Sequence, residues 1–355
     1  MRAAVWHKRR DIRVESFPDP GPLAPDGLRV QVAWCGICGT DLEEYLHGPL
    51  FIPADKPNPL TGRTAPMVMG HEFVGLVTEV GSAVRDLRPG DRVAVDTLLH
   101  CGECFFCKQH LVHLCEKLAI MGLSTDGGLA EFVIAPRYMC FKYPPTLPDA
   151  HAALAEPASV AVRAVRRARL TGGETVAVIG AGTIGLLTLE VARAMGARRV
   201  IVIEPAQNRQ AIALQLGAFA AVDPQAQDPV SEVRRLTGGL GADVVFECAS
   251  NVTAMEMAPL VARKQGRVVL VGLHDAAVPM QLVSVVIGEQ ELIGSFSHVY
   301  DEDFGPAVDL LGTGRITVEP LITAKIGLDD LVPRGLEELA SSKARHLKIL
   351  VSPQT

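Results

Sequence analysis

The chain has no surplus of positive charge. Its 34 Lys and Arg stand against 40 Asp and Glu, a formal net charge of -6 over 355 residues. With nothing to neutralise a run of phosphates, free-standing nucleic-acid binding is not expected. A long apolar run is also missing. The longest stretch without Asp, Glu, Lys or Arg lies between Glu174 and Glu190, 15 residues of which three are glycine. A membrane-crossing helix needs about 20 apolar residues, so no such span and no membrane partner are expected. The N-terminus reads Met1-Arg2-Ala3 and is charged through Asp11, without the apolar core of a signal peptide, so a cytoplasmic location is expected. No internal repeat or low-complexity linker is found. The 48% hydrophobic and 21% charged content belongs to a folded chain. At roughly 150 residues per domain, its length suggests about two domains.

The first 150 residues read as short strands, for example 28–32, 72–80, 91–95 and 129–134, separated by Pro- and Gly-rich turns such as Arg88-Pro89-Gly90-Asp91. That punctuation suggests a β-rich, barrel-like unit. After Pro148 the pattern changes to apolar strand and helix in alternation. Strands are expected at 175–179, 199–203, 243–248 and 266–271, with helices at 183–195 and 207–216. Such alternation implies a parallel sheet with helices on both faces, hence an α/β chain. After Gly294 the pattern is mixed, with a helix expected over 302–311 and a last strand over 347–351.

Gly180-Ala181-Gly182-Thr183-Ile184-Gly185 fits G-x-G-x-x-G, directly after an expected strand and at the start of an expected helix. In that context the glycines permit a tight turn, close approach of a pyrophosphate and close helix–strand packing. Glu204, 24 residues after Gly180, ends the next strand, where a carboxylate can bind ribose hydroxyls and repel a 2′-phosphate. NAD is therefore favoured over NADP. Arg209 is near enough to serve a 2′-phosphate, and we read it instead as a residue flanking the adenine.

Eight cysteines are present. Cys101, Cys104, Cys107 and Cys115 form C-x2-C-x2-C-x7-C, four thiolates that can close a tetrahedral shell around a structural zinc. An iron–sulfur cluster takes the same four thiolates. Cys38, in Gly36-Ile37-Cys38-Gly39-Thr40-Asp41, His71 and Glu72, in Gly70-His71-Glu72, and Glu156, in Glu156-Pro157, are all zinc-ligand types. Three such ligands would leave a position open for substrate. Cys35, Cys140 and Cys248 lie among apolar residues and read as packing.

Together with Pro89-Gly90-Asp91-Arg92-Val93, these motifs stand in an order that resembles the zinc-dependent medium-chain alcohol dehydrogenases over nearly the whole chain. Within that family the chain is most similar to the polyol branch, through 43–49, 122–128, 243–249 and 301–304. The resemblance implies a GroES-like β-barrel catalytic domain over 1–155, with a structural zinc lobe at about 97–118. It further implies a Rossmann doubly wound parallel sheet over 156–294 and a C-terminal return to the catalytic domain over 295–355. Cys38, His71 and Glu156 would hold a catalytic zinc, with Glu72 as the alternative ligand, and Cys101, Cys104, Cys107 and Cys115 a structural zinc. Thr40 would relay the substrate proton. Gly180, Gly182, Ile184, Gly185, Glu204, Arg209 and Val271 would bind NAD. The implied activity interconverts vicinal diols and α-hydroxyketones, with sorbitol or L-threonine as alternative substrates, in a homo-dimer or homo-tetramer. Two departures stand out: Glu43 replaces a His common in relatives at the end of the proton relay, with His47 a substitute, and Arg163 replaces another.

Overall fold

The computed structural model describes residues 1–274, 277–280, 282–342 and 345–355. The chain divides into two compact units. The first holds Met1–Glu156, Val299–Thr313 and Ile322–Thr355; the second holds Pro157–His298 and Gly314–Leu321.

The first unit is built around the strand Gly27–Gly36, which pairs antiparallel with Glu72–Val80, Phe132–Pro136 and Lys348–Ser352. Its alternation is physical: Leu28, Val30 and Val32 are buried while Arg29 and Gln31 are partly exposed, as a strand with one face on a core requires. That core includes Trp6, Phe73, Leu129, Ile349 and Val351. Gly36 sits directly opposite Glu72 on one side and Leu350 on the other. A Cβ at Gly36 would fall 2.2 Å from Glu72 Oε2 and 3.3 Å from Lys348 Cδ. Only glycine leaves room for those two side chains to meet.

The second unit is a six-stranded parallel sheet. Its strands are β1 (Thr175–Ile179), β2 (Arg199–Ile203), β3 (Ala220–Val222), β4 (Ala242–Glu247), β5 (Ala262–Leu270) and β6 (Glu291–Gly294). They lie in the order β3-β2-β1-β4-β5-β6. The chain leaves β1 in one direction and returns to β4 on its other side, so the switch point lies between those two strands. In such sheets ligands bind beyond the carboxyl ends of the strands at that point. Val176–Ile179 is buried throughout, as a strand covered on both faces must be.

Two expectations are corrected. The segment 295–355 does not return as one piece, because 295–298 and 314–321 belong to the second unit. Buried Glu190 explains the latter: its Oε2 accepts the Thr317 N–H at 2.6 Å, while the Arg315 guanidinium binds the Ala194 carbonyl. The helix expected over 302–311 begins as a π-helical turn, Tyr300–Phe304, before the α-helix Gly305–Gly312. Pro306 has no N–H to give the carbonyl four residues back, which disfavours a regular turn there. Among the described residues, no helix is long and apolar enough to cross a membrane.

Candidate active site and metal centres

At the end of the strand Gly27–Gly36 the chain passes Ile37 and enters the helix Gly39–His47, with Cys38 as its N-cap. Asp41, at the third helical position, accepts the Cys38 N–H at 2.9 Å through Oδ2. That bond fixes the thiol at the helix start. His71 and Glu72 open the neighbouring strand. The ligand atoms of Cys38, His71 and Glu72 lie within 4.8 Å of one another.

The surroundings fit a metal. His71 Nδ1 stands 3.4 Å from Asp41 Oδ1, and both atoms are buried without a hydrogen bond. A metal at the other ring nitrogen would hold the Nδ1 proton towards Asp41, the usual second partner of a ligating histidine. Burial opposes a charge on His71, but Asp41 and the Cys38 sulfur outweigh it and hold its pKa well above the ordinary value in the metal-free chain. Thr40 Oγ1 lies 3.7 Å from Cys38 Sγ. Glu43 and His47, one turn apart and both partly exposed, are 3.7 Å apart.

The sequence ranks Glu156 above Glu72 as the third ligand. The structure places Glu72 in the cluster; Glu156, at the start of the helix Ala155–Arg167, is outside it. Against Glu72 stands a residue that sequence reading missed. Lys348, almost wholly buried, donates from Nζ to Glu72 Oε2 at 2.5 Å and to the Ile37 carbonyl at 3.0 Å. Burial would lower its pKa, yet the charges of Glu72, Cys38 and Glu156 raise it. The one hint of it was a lysine at the head of the apolar run Ile349-Leu350-Val351. Asp41 was visible in the Thr40-Asp41 pair, but its double role depends on the helix cap.

In the second cluster Cys101, Cys104, Cys107 and Cys115 converge. Cys101 Sγ is 3.9 Å from Cys107 Sγ and 3.5 Å from Cys115 Sγ. Zn–S bonds of about 2.3 Å put tetrahedral sulfurs about 3.8 Å apart, so the set fits zinc. Backbone N–H groups of Cys104, Cys101 and Lys117 donate to these sulfurs at 3.3–3.4 Å. Donors of this kind, from Cys107 and Glu116, bring Cys104 down to about 6, while burial and Cys104 itself push Cys107 up to about 12. The lobe's regular structure is short, a four-residue helix, Phe105–Lys108, a 3-10 turn, Val112–Leu114, and the two-residue strand Leu98–Leu99, so a metal supplies much of its order. Cys107→Ser is expected to cost one zinc per chain and to open residues of the lobe to limited proteolysis, with NADH binding retained; metal analysis, peptide mapping and titration check this. None of the eight cysteines is in a disulfide.

In the second unit β1 runs into the glycine turn and the helix Thr183–Ala194, with Gly182 as N-cap. Gly180 has φ +94°, and a Cβ at Gly185 would fall 1.9 Å from the Gly180 carbonyl oxygen. Ile184 lies in the first helical turn. Glu204, just past β2, is buried and accepts the N–H of Ala181 at 2.7 Å and of Ala206 at 3.0 Å. It thus braces the glycine turn itself, which sequence reading did not foresee. Arg209 belongs to the helix Gln207–Gln215. Val271 follows β5, its N–H on the Glu247 carbonyl.

A thiolate–imidazole–carboxylate cluster, joined in one chain to a dinucleotide-binding sheet, defines a metal-assisted oxidoreductase. Residues 24–145 match the family described as alcohol dehydrogenase GroES-like domain, and residues 183–313 match zinc-binding dehydrogenase. The chain is 39% identical to (R,R)-butanediol dehydrogenase of Bacillus subtilis (strain 168) over 99% of this chain and 100% of that one. The crystal structure of 2R,3R-butanediol dehydrogenase from Bacillus subtilis superposes with a TM-score of 0.92 at 38% identity, covering 99% of each chain. A zinc-binding dehydrogenase from Sinorhizobium meliloti 1021, solved bound to NADP, gives a TM-score of 0.90 at 35% identity over 99% of each chain. The chain belongs to the zinc-binding medium-chain alcohol dehydrogenase family, and it is an oxidoreductase.

Proposed function

We propose that the chain oxidises vicinal diols to α-hydroxyketones with NAD and runs the reverse reaction with NADH, as in 2,3-butanediol and acetoin. The full-length likeness to butanediol dehydrogenases carries the reading, and the Cys38–His71–Glu72 cluster supports it. Cys38, His71 and Glu72 would hold the catalytic zinc, with Glu156 beside Lys348 as the replacement for Glu72. The four-cysteine lobe would hold a second, structural zinc.

Zinc supplies Lewis acidity that eases ionisation of the substrate hydroxyl, and NAD supplies the hydride acceptor. The reaction turns CH–OH into C=O, with a hydride to the nicotinamide ring and a proton to solvent. Thr40 Oγ1 takes that proton and passes it on. Glu43 and His47, on the outer part of the same helix, are its next acceptors. Asp41 keeps His71 oriented and Cys38 at the helix cap, while Lys348 balances the charge of Glu72.

A steady-state panel of butanediol stereoisomers, acetoin, sorbitol, L-threonine and ethanol tests the reading. Turnover of sorbitol or threonine without turnover of diol and acetoin would sink it. For the cofactor, Glu204→Ala is expected to shift kcat/KM from NAD towards NADP by about tenfold, since the repelling carboxylate is gone and Arg209 remains. Paired assays with the two cofactors measure it. A homo-oligomer in the cytoplasm completes the proposal. Exposed Val283, Val286 and Ile287, with Leu292 on edge strand β6, support self-association.

A further inference from the structure

Glu247, the last residue of β4, has 0% exposure yet carries a carboxylate. Its Oε1 accepts the N–H groups of Ala249 and Ser250 at 2.8 Å each. Its Oε2 lies 3.2 Å from His274 Nε2, and its carbonyl accepts the N–H of Val271 and of Gly272 at 3.0 Å each. One residue therefore ties the loop after β4 to the loop after β5. Both loops leave carboxyl ends of the sheet, across the switch point from Glu204. The first abuts the glycine turn, since a Cβ at Gly180 would fall 2.9 Å from Ala249 Cβ. A dinucleotide whose adenosine half lies at Glu204 extends its other half over β4 and β5.

A carboxylate can only accept, so Nε2 facing it carries a ring proton, and in the neutral imidazole Nδ1 then keeps a lone pair. The His274 side chain is 12% exposed, so the ring is held but not sealed. We propose that His274 touches the cofactor, its Nδ1 accepting a hydrogen bond from the nicotinamide-side ribose, with Glu247 as the positioning residue that fixes the tautomer. This rests on the dinucleotide reading of the second unit. The step is pure recognition and moves no electrons.

Titration of the zinc-loaded enzyme with NADH, ADP-ribose and AMP tests it. ADP-ribose has the second ribose without the nicotinamide, and AMP has neither. His274→Ala and His274→Gln each remove the Nδ1 acceptor, while Gln retains a donor towards Glu247. Both are expected to weaken NADH and ADP-ribose about tenfold, the worth of one good hydrogen bond, and to leave AMP within about twofold. Glu247→Gln is expected to raise KM for NAD with a smaller change in kcat. Equal weakening of all three ligands means a merely structural clamp, and unchanged binding means no contact; either overturns the proposal. Weakening of NADH alone moves the contact to the carboxamide and overturns the ribose assignment. An unchanged KM in Glu247→Gln overturns the positioning role. A wild-type enzyme that binds none of the three defeats the dinucleotide reading, a failure distinct from loss of the His274 effect.

Discussion

Cys38→Ser is expected to leave about one zinc per chain in place of about two and to lower kcat for the diol by about three orders of magnitude. A serine hydroxyl stays protonated where a thiolate would bind, so the cluster loses its soft anionic ligand and the site its Lewis acid. The fold should survive. The Asp41 bond at the helix cap is made to the Cys38 backbone N–H, and the four-cysteine lobe shares no residue with this cluster. NADH binding should be unchanged, because Gly180, Gly185 and Glu204 belong to the other unit. Metal analysis, steady-state assay and NADH titration on one preparation separate these effects. Undiminished turnover in the variant would exclude metal assistance by Cys38.

The dinucleotide sheet was legible because its signal is local. The strand, glycine turn and helix occupy 175–194 without a break, and the spacing to Glu204 spans only one strand and its lead-in. The four-cysteine lobe was legible for the same reason: the pattern closes within 15 residues, Cys101 to Cys115. The order around the Cys38 cluster was not. Lys348 reaches Glu72 across 276 positions of sequence, and no periodicity in either strand announces the meeting. It depends on the strand Gly27–Gly36 lying between the other two, and on Gly36 having no side chain to keep them apart. That Glu72 lies with Cys38 and His71 was hidden for the same reason, since Glu72 and Glu156 both stand in motifs of equal clarity and only the register brings Glu72 beside the other two. The segment 314–321 eluded reading because one buried carboxylate, Glu190, decides where it docks.

Lys348→Met should have an effect that depends on metal. Methionine fills nearly the same volume without charge, which leaves Glu72, 1% exposed, as a buried carboxylate without its cation. Breaking such a pair by removing one partner costs about 3–5 kcal/mol. That full loss is expected for the chain stripped of metal with a chelator. With zinc present, the divalent charge beside Glu72 offsets the missing ammonium, and the loss should be smaller. The gap in Tm between zinc-loaded and stripped protein therefore widens in Lys348→Met relative to the unaltered chain. Adding Glu72→Gln removes the unpaired charge, and the stripped double variant should recover most of the stability that the single one loses. Its zinc-loaded form should gain less, because Gln is a poorer ligand than the carboxylate. Equal losses with and without zinc would show that Lys348 supports only the fold. A loss concentrated in the stripped protein would show that the lysine and the metal are alternative partners of one glutamate, so that Lys348 keeps the site folded and ready before zinc arrives.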